Sequence, residues 1–310
     1  MSRCMLVHRR FQGYTGGHGK MLDYMRHVQA HARWDVLLHL SATRTDTEAN
    51  PFCAWPNQST QWRPQEADAL LIGGMDWTLL AEWDDQDLPP VINLVQHVRH
   101  ADPSLPLRAF LKRPAIRICV SHAVRDAIVA TGEVHGPVHV IPLGIDVEGL
   151  GCLGDINPTM DVFIDGVKQP DLARCVHQEL VRHGLRVRLH DQRTPRSVYL
   201  RHMALARIVV ALPDPEEGFY LPGLEAMAMG RALVQPDCLG SREYVRAQEN
   251  ARVPERRADA IAAMALDLAR DAQATDTISR AARLAASRFT LAAERAAVHA
   301  LLDTLDGTCT

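Results

Sequence analysis

The sequence has 310 residues, 47% hydrophobic and 23% charged, the balance of an ordinary globular protein with room for two domains, each with its own core. A formal net charge of −3 excludes a global basic field of the kind that recruits nucleic acid or anionic membrane. Seven cysteines scattered without a Cys-x-x-Cys pair exclude a disulfide framework and point to free thiols in a reducing cytoplasm, and no stretch approaches the roughly 20 apolar residues of a membrane span.

Cys4 to His8 predicts a first strand, and the apolar run before His8-Arg9-Arg10 is too short for a signal peptide. The glycine-rich Gly13-Tyr14-Thr15-Gly16-Gly17-His18-Gly19 follows, then a helical pattern through Met21, Met25 and Val28. Strand, glycine loop and helix form the opening unit of an α/β nucleotide-binding layer. Further strands are expected at Trp34–Leu40, Ala67–Gly74, Val91–Val95, Ala115–Val120 and Val138–Ile141, and Ser121 caps a short helix holding Val124 and Ile128.

Residues 144–158, rich in Gly, Asp and Asn and without periodicity, are expected to be an interdomain linker. The alternation then restarts with a strand at Met160–Ile164, a helix at Asp171–His183, a strand at Leu185–Leu189 and a helix at Pro195–Ala206. A strand at Arg207–Leu212 and another at Ala232–Gln235 follow, and after Val245 the Ala- and Arg-rich sequence predicts three helices. The expected architecture is α/β, two Rossmann-like domains facing across a cleft that is the natural ligand site. The expected domains are 1–146, a linker at 147–158, 159–287, and a helix at 288–310.

One stretch concentrates chemistry. Pro213, Asp214 and Pro215 end the apolar strand, because proline supplies no ladder donor, and a helix suited to Pro222 in its first turn begins at Leu221. Its N-terminus presents free N–H groups and a partial positive charge, which favour phosphate. Glu217 lies before this helix start and Glu225 about one turn inside, so the anion site is flanked by hydroxyl-binding carboxylates. That combination suits a sugar nucleotide better than a bare phosphate.

The strand, the Glu217-Gly218-Phe219-Tyr220-Leu221-Pro222 loop, the second glutamate Glu225 and Ala226-Met227-Ala228-Met229-Gly230 together resemble the retaining glycosyltransferases of family 4, which have the GT-B fold. Ile118–Val124 is similar to the family's strand-Ser-x-x-Val segment, and Val140–Asp146 to its Val-Ile-Pro-Asn-Gly-Val-Asp junction, with Leu143 in place of asparagine. Thr15-Gly16-Gly17 fits its N-terminal Gly-Gly loop. Arg288-Phe289-Thr290-Leu291 fits the start of its last helix, which in GT-B proteins crosses back to the N-terminal domain. The resemblance spans nearly the whole chain, in order.

The resemblance implies that Glu217 contacts hydroxyls of the donor sugar and Glu225 the ribose hydroxyls. An ionised carboxylate accepts such bonds and cannot donate. Gly218 and the N–H groups of Phe219, Tyr220 and Leu221 would hold the diphosphate, and Gly17 would let backbone approach it. His97 matches the histidine near the sugar, with His100 the alternative. Tyr220 stands where the family often has glycine, and two readings stay open: it shapes the sugar pocket or it packs.

Family members usually carry Gly-Arg and then Lys-Gly after the first strand of the second domain. Here Asp165-Gly166-Val167-Lys168-Gln169-Pro170 lacks the arginine, which leaves Lys168 as the cation for the diphosphate and Arg193 or Arg196 to supply the second. The implied enzyme is a retaining hexosyltransferase using a UDP- or GDP-sugar as co-substrate, with no metal and no other cofactor. The acceptor is a glycan, a small molecule or a modified nucleic-acid base. An epimerase or phosphorylase on the same scaffold, or a non-catalytic sugar-nucleotide-binding protein, are the alternatives.

Other motifs read more plainly. His27 and His31 lie one helical turn apart but lack an evident third ligand, so a solvated or core helix face is expected. Asp85-Gln86-Asp87 has the spacing of an Asp-x-Asp metal motif but lies in a polar connection, and reads as a loop. No Gly-x-Gly-x-x-Gly with a downstream acid follows the first strand, which disfavours a NAD-linked dehydrogenase.

Overall fold

The aliphatic run Met5-Leu6-Val7 is almost fully buried, and this run on both faces of the chain is what a central parallel strand requires. In the computed structural model, which describes residues 2–11, 13, 15–41 and 50–306, it forms the middle of a strand. The chain divides into two compact units, Met1–Leu143 with Leu291–Thr310, and Gly144–Thr290.

The first unit contains β1 (Arg3–Arg10), α1 (Gly16–Gln29), β2 (Trp34–Ser41), β3 (Gln58–Ser59), β4 (Ala69–Gly73), β5 (Val91–Val95), α2 (Pro106–Ala109), β6 (Ile116–Cys119), α3 (His122–Val129) and β7 (Val138–Val140). The strands form one sheet in the order β3-β2-β1-β4-β5-β6-β7. All its pairings are parallel; β1 pairs with β2 from Arg3↔Trp34 to Arg10↔Ser41 and with β4 at Met5↔Ala69. Leu6, Leu70, Ile72, Trp77 and Leu80 pack one core cluster. Beside it the wholly buried Arg117 donates to the carbonyls of Phe110, Leu111, Arg113, Ala115 and His135, which satisfies five backbone acceptors without a carboxylate.

The second unit contains α4 (Val147–Gly154), β8 (Met160–Asp165), α5 (Pro170–Arg182), β9 (Val187–His190), α6 (Arg196–Ala204), β10 (Ala206–Ala211), α7 (Leu221–Ala228), β11 (Ala232–Val234), α8 (Ala258–Arg270) and α9 (Ala272–Ala286). Its parallel sheet has the order β11-β10-β8-β9. Val162, Ile164, Ile208, Val210 and Val234 pack with Ala173, Val176 and Leu180 of α5 and with Ile261, Ala265 and Leu268 of α8. Each large aliphatic side chain buried there contributes about 1.5–3 kcal/mol.

Residues 147–158, expected as an irregular linker, instead contain α4. Asp146 caps it by accepting from the Gly149 N–H at 2.9 Å. Its glycines reflect close packing: a Cβ on Gly154 would lie 2.2 Å from the Met229 carbonyl.

α10 (Leu291–Asp306) closes the first unit by packing on α1. Glu294 Oε2 accepts from Lys20 Nζ at 2.7 Å and is 2.9 Å from His27 Nε2, all three side chains buried. His31 lies against Asp303 at 3.2 Å. His27 on α1 and His31 just beyond its end are therefore both engaged by carboxylates of α10. Among the described residues no helix is long and apolar enough to cross a membrane.

Candidate functional site

In the second unit β9 lies on one side of β8 and β10 on the other. The chain therefore reverses its winding between β8 and β10, and the carboxyl ends of those two strands form the switch point where open α/β sheets take ligands. The loop after β8 carries Gly166, Val167 and Lys168; the loop after β10 carries Asp214 to Tyr220 and runs into α7. Two stretches far apart in sequence are thus delivered to one edge.

Lys168 closes on Glu217: its Nζ donates to Glu217 Oε1 and stands 4.0 Å from Asp214 Oδ2. Gln169 donates to the other oxygen of Asp214, so both loops are tied together by side chains. Glu217 is 9% exposed, close to buried. Its carbonyl accepts from the Gly240 N–H at 2.8 Å. A Cβ on Gly240 would lie 2.5 Å from the Gly218 carbonyl carbon and the Phe219 nitrogen, so only glycine lets the two backbones meet.

α7 starts at Leu221 with Pro222 at its second position, so a missing N–H falls where no intrahelical acceptor exists. The remaining first-turn N–H groups have no partner within the helix, and the dipole adds positive potential. Glu225 lies one turn in, 1% exposed, with Arg196 Nη2 at 2.5 Å from its Oε1. Arg196 begins α6, and Arg193 lies on the exposed β9–α6 connection.

Tyr220 points inward. It is 2% exposed, its hydroxyl donates to Asp165 Oδ2 at 2.7 Å, and its carbonyl accepts from the Tyr244 hydroxyl. Of the two readings left open by its replacement of glycine, packing describes its side chain. Asp165 is the last residue of β8 and 6% exposed; burial, with Glu225 nearby, pushes its carboxyl up to about 6 against the opposing bond from Tyr220.

Glu217, Gly218, Phe219, Tyr220, Leu221, Glu225, Lys168 and Arg196 are therefore assembled at one edge of the second unit's sheet. Gly17 and His97 belong to the first unit. Gly17 lies in the first turn of α1, where an added Cβ would come 2.7 Å from Gln96 Oε1. His97 Nδ1 accepts from the Arg99 N–H at 3.0 Å and caps a short turn. His100, the alternative, is 4% exposed and held neutral, its pKa lowered to about 4 chiefly by burial. Asp85 of the Asp-x-Asp spacing pairs with Arg113 at 2.5 Å. Sequence reasoning missed Asp165 and Gly240. An acid ending an apolar strand is a visible signal for the first; nothing local marks the second.

The fold is that of GT-B proteins. Residues 161–271, within the second unit, match the family model Glycosyl transferases group 1. Among solved structures the chain is similar to Anabaena HepE in complex with UDP and glucose, at 17% identity, TM-score 0.73, 97% of this chain and 100% of that one. It is also similar to sucrose-phosphate synthase from Thermosynechococcus elongatus, at 14% identity, TM-score 0.72, over 99% and 100% of the two chains. A glycosyltransferase from Rickettsia africae matches at 10% identity and TM-score 0.70 over 99% and 98%. No curated protein sequence matches the chain significantly.

Proposed function

We propose that this protein is a retaining, metal-independent glycosyltransferase that moves a hexose from a UDP- or GDP-sugar to an acceptor hydroxyl. The observation that carries this reading is the pairing of Lys168 with Glu217 across the carboxyl ends of β8 and β10, beside the free start of α7. A cation and a helix N-terminus there suit a diphosphate, and two carboxylates suit the hydroxyls on either side of it. HepE, which shares the fold, has been solved with UDP and with UDP-glucose.

The mechanism follows from the leaving group. A departing nucleoside diphosphate gains negative charge, which the first-turn N–H groups of α7 and Lys168 stabilise in place before the bond breaks. Arg196, at the start of α6, is the second cation, in place of the arginine the Asp165–Pro170 loop lacks. Glu217 fixes the sugar by accepting from its hydroxyls, and Glu225 fixes the ribose. The acceptor attacks from the face of departure, and its proton passes to the leaving diphosphate. Glu217 is thus a positioning carboxylate and not a nucleophile. A glycan, a small molecule or a modified nucleic-acid base is the acceptor, and a cytoplasmic setting fits the free cysteines among the described residues.

Incubation with a panel of sugar nucleotides, reading nucleoside diphosphate release, tests this. Release supports transfer. Tight binding without release supports a sugar-nucleotide-binding protein, and an isomerised nucleotide sugar an epimerase.

A further inference from the structure

The buried acid under the anion site has no part in the reaction just described, yet it is mechanically joined to it. Asp165 ends β8, and its backbone carbonyl accepts from Leu212 N–H of the β10 loop at 3.0 Å. Its carboxyl takes the Tyr220 hydroxyl at 2.7 Å, and Tyr220 is the cap residue immediately before α7. One aromatic side chain therefore spans from the carboxyl to the backbone that opens the helix.

We propose that Asp165 is a proton-coupled positioning residue for the donor: it takes up a proton as a sugar nucleotide's diphosphate settles on the start of α7. This rests on the donor reading of that helix start. The groups facing the carboxyl make the coupling one-sided. Tyr220 before α7 and the Val167 N–H after β8 donate to it, and Tyr199 of α6 faces it. Glu225 of α7 adds negative charge, itself covered by Arg196 of α6. On β9, His190 pairs in register with Asp165 and is kept neutral by burial, its pKa lowered. Lys168 beyond the site is engaged by Glu217. No cation is bonded directly to the Asp165 carboxyl among these groups, so added phosphate charge acts against its ionised form and drives proton uptake.

With burial already holding its titration near pH 6, the donor shifts it further toward neutrality at physiological pH. Two phosphate charges on the order of 10 Å away in a medium of effective dielectric about 20 shift a carboxyl by about two to two and a half pK units. Donor affinity should then fall by roughly 50-fold between pH 5 and pH 8.

The test is calorimetric titration of the full chain with UDP-glucose and with GDP-mannose, whose diphosphates do not titrate in this range. Buffers of differing ionisation enthalpy then count protons. The wild type is expected to take up a substantial fraction of a proton near pH 7 and almost none at pH 5, and Asp165→Asn to bind without that uptake. Uptake unchanged in Asp165→Asn, or no uptake in the wild type, overturns the proposal while leaving the donor reading intact. Failure of both nucleotides to bind overturns both. Should Asp165→Asn not fold, Tyr220→Phe serves, because losing the donated bond moves the uptake window to higher pH; an unmoved window refutes the coupling.

Discussion

Arg196 stands 2.5 Å from Glu225, a carboxylate that is itself 1% exposed. The cation on α6 and the acid on α7 are thus one unit, and whatever binds Glu225 meets Arg196 as well. Arg196→Ala is expected to raise the donor KM about ten-fold, since it removes a charge beside the diphosphate. It should also cost on the order of 1 kcal/mol of stability, a modest figure because Arg196 is half exposed. Donor titration and thermal melting separate the two effects, and an unchanged KM would remove Arg196 from the donor site.

Lys168 and Glu217 make the corresponding pair on the other strand ends. Glu217→Ala and Lys168→Ala should each lower kcat/KM by on the order of 10²-fold. Because they touch, the double variant should lose much less than the product of the two. Near-normal turnover in both single variants would sink the assignment.

Gly240 has no side chain to offer, yet its substitution should be severe for binding. The 2.5 Å approach that Gly240→Ala creates is to backbone, so the Gly218–Phe219 segment must move. Overpacking of this kind costs about 1–3 kcal/mol. The variant is expected to keep its circular dichroism and to lose most UDP-glucose affinity; wild-type affinity would show that the loop tolerates the shift.

Asp165 also sets a stability slope. Its folded pKa, about 6, lies above its ordinary value of 3.8, so the folded state holds a proton that the unfolded state has released between these values. The stability it provides is full below about pH 4 and is lost as pH rises through about 6. Asp165→Asn should therefore gain stability relative to the parent across that window and stay ahead above it, by a few kcal/mol at most. Urea melts at pH 4 and pH 7.5 check the sign; the same difference at both would contradict it.

Glu294→Ala in α10 should cost about 3 kcal/mol, because it strips a buried carboxylate from buried Lys20 and His27. Glu294→Gln should be milder. Equal costs, read from urea midpoints, would mean that the charge is irrelevant.

The alternation of strands and helices is legible in the chain because buried parallel strands read as apolar runs; Val91–Val95 is both expected and seen. α4 is not legible, since Gly149, Gly151 and Gly154 erase the helical pattern that Asp146 and the packing against Met229 impose. β3, two residues long, leaves no periodicity to find. The carboxylates of the site stand out by their place around a helix start. Their partners do not, because Tyr220 meets Asp165 across 55 residues and Lys168 meets Glu217 across 49. Pairing at that range is set by strand order, which local pattern does not encode.

The bond between Lys20 and Glu294 joins residues 274 positions apart. During vectorial synthesis, the lysine leaves the ribosome long before its carboxylate exists, and the whole second unit is made in the interval. The unit begun first is thus the one finished last. Until α10 is made, α1 holds Lys20 and His27 without the Glu294 carboxylate, and that part of the unit's core waits for the last helix.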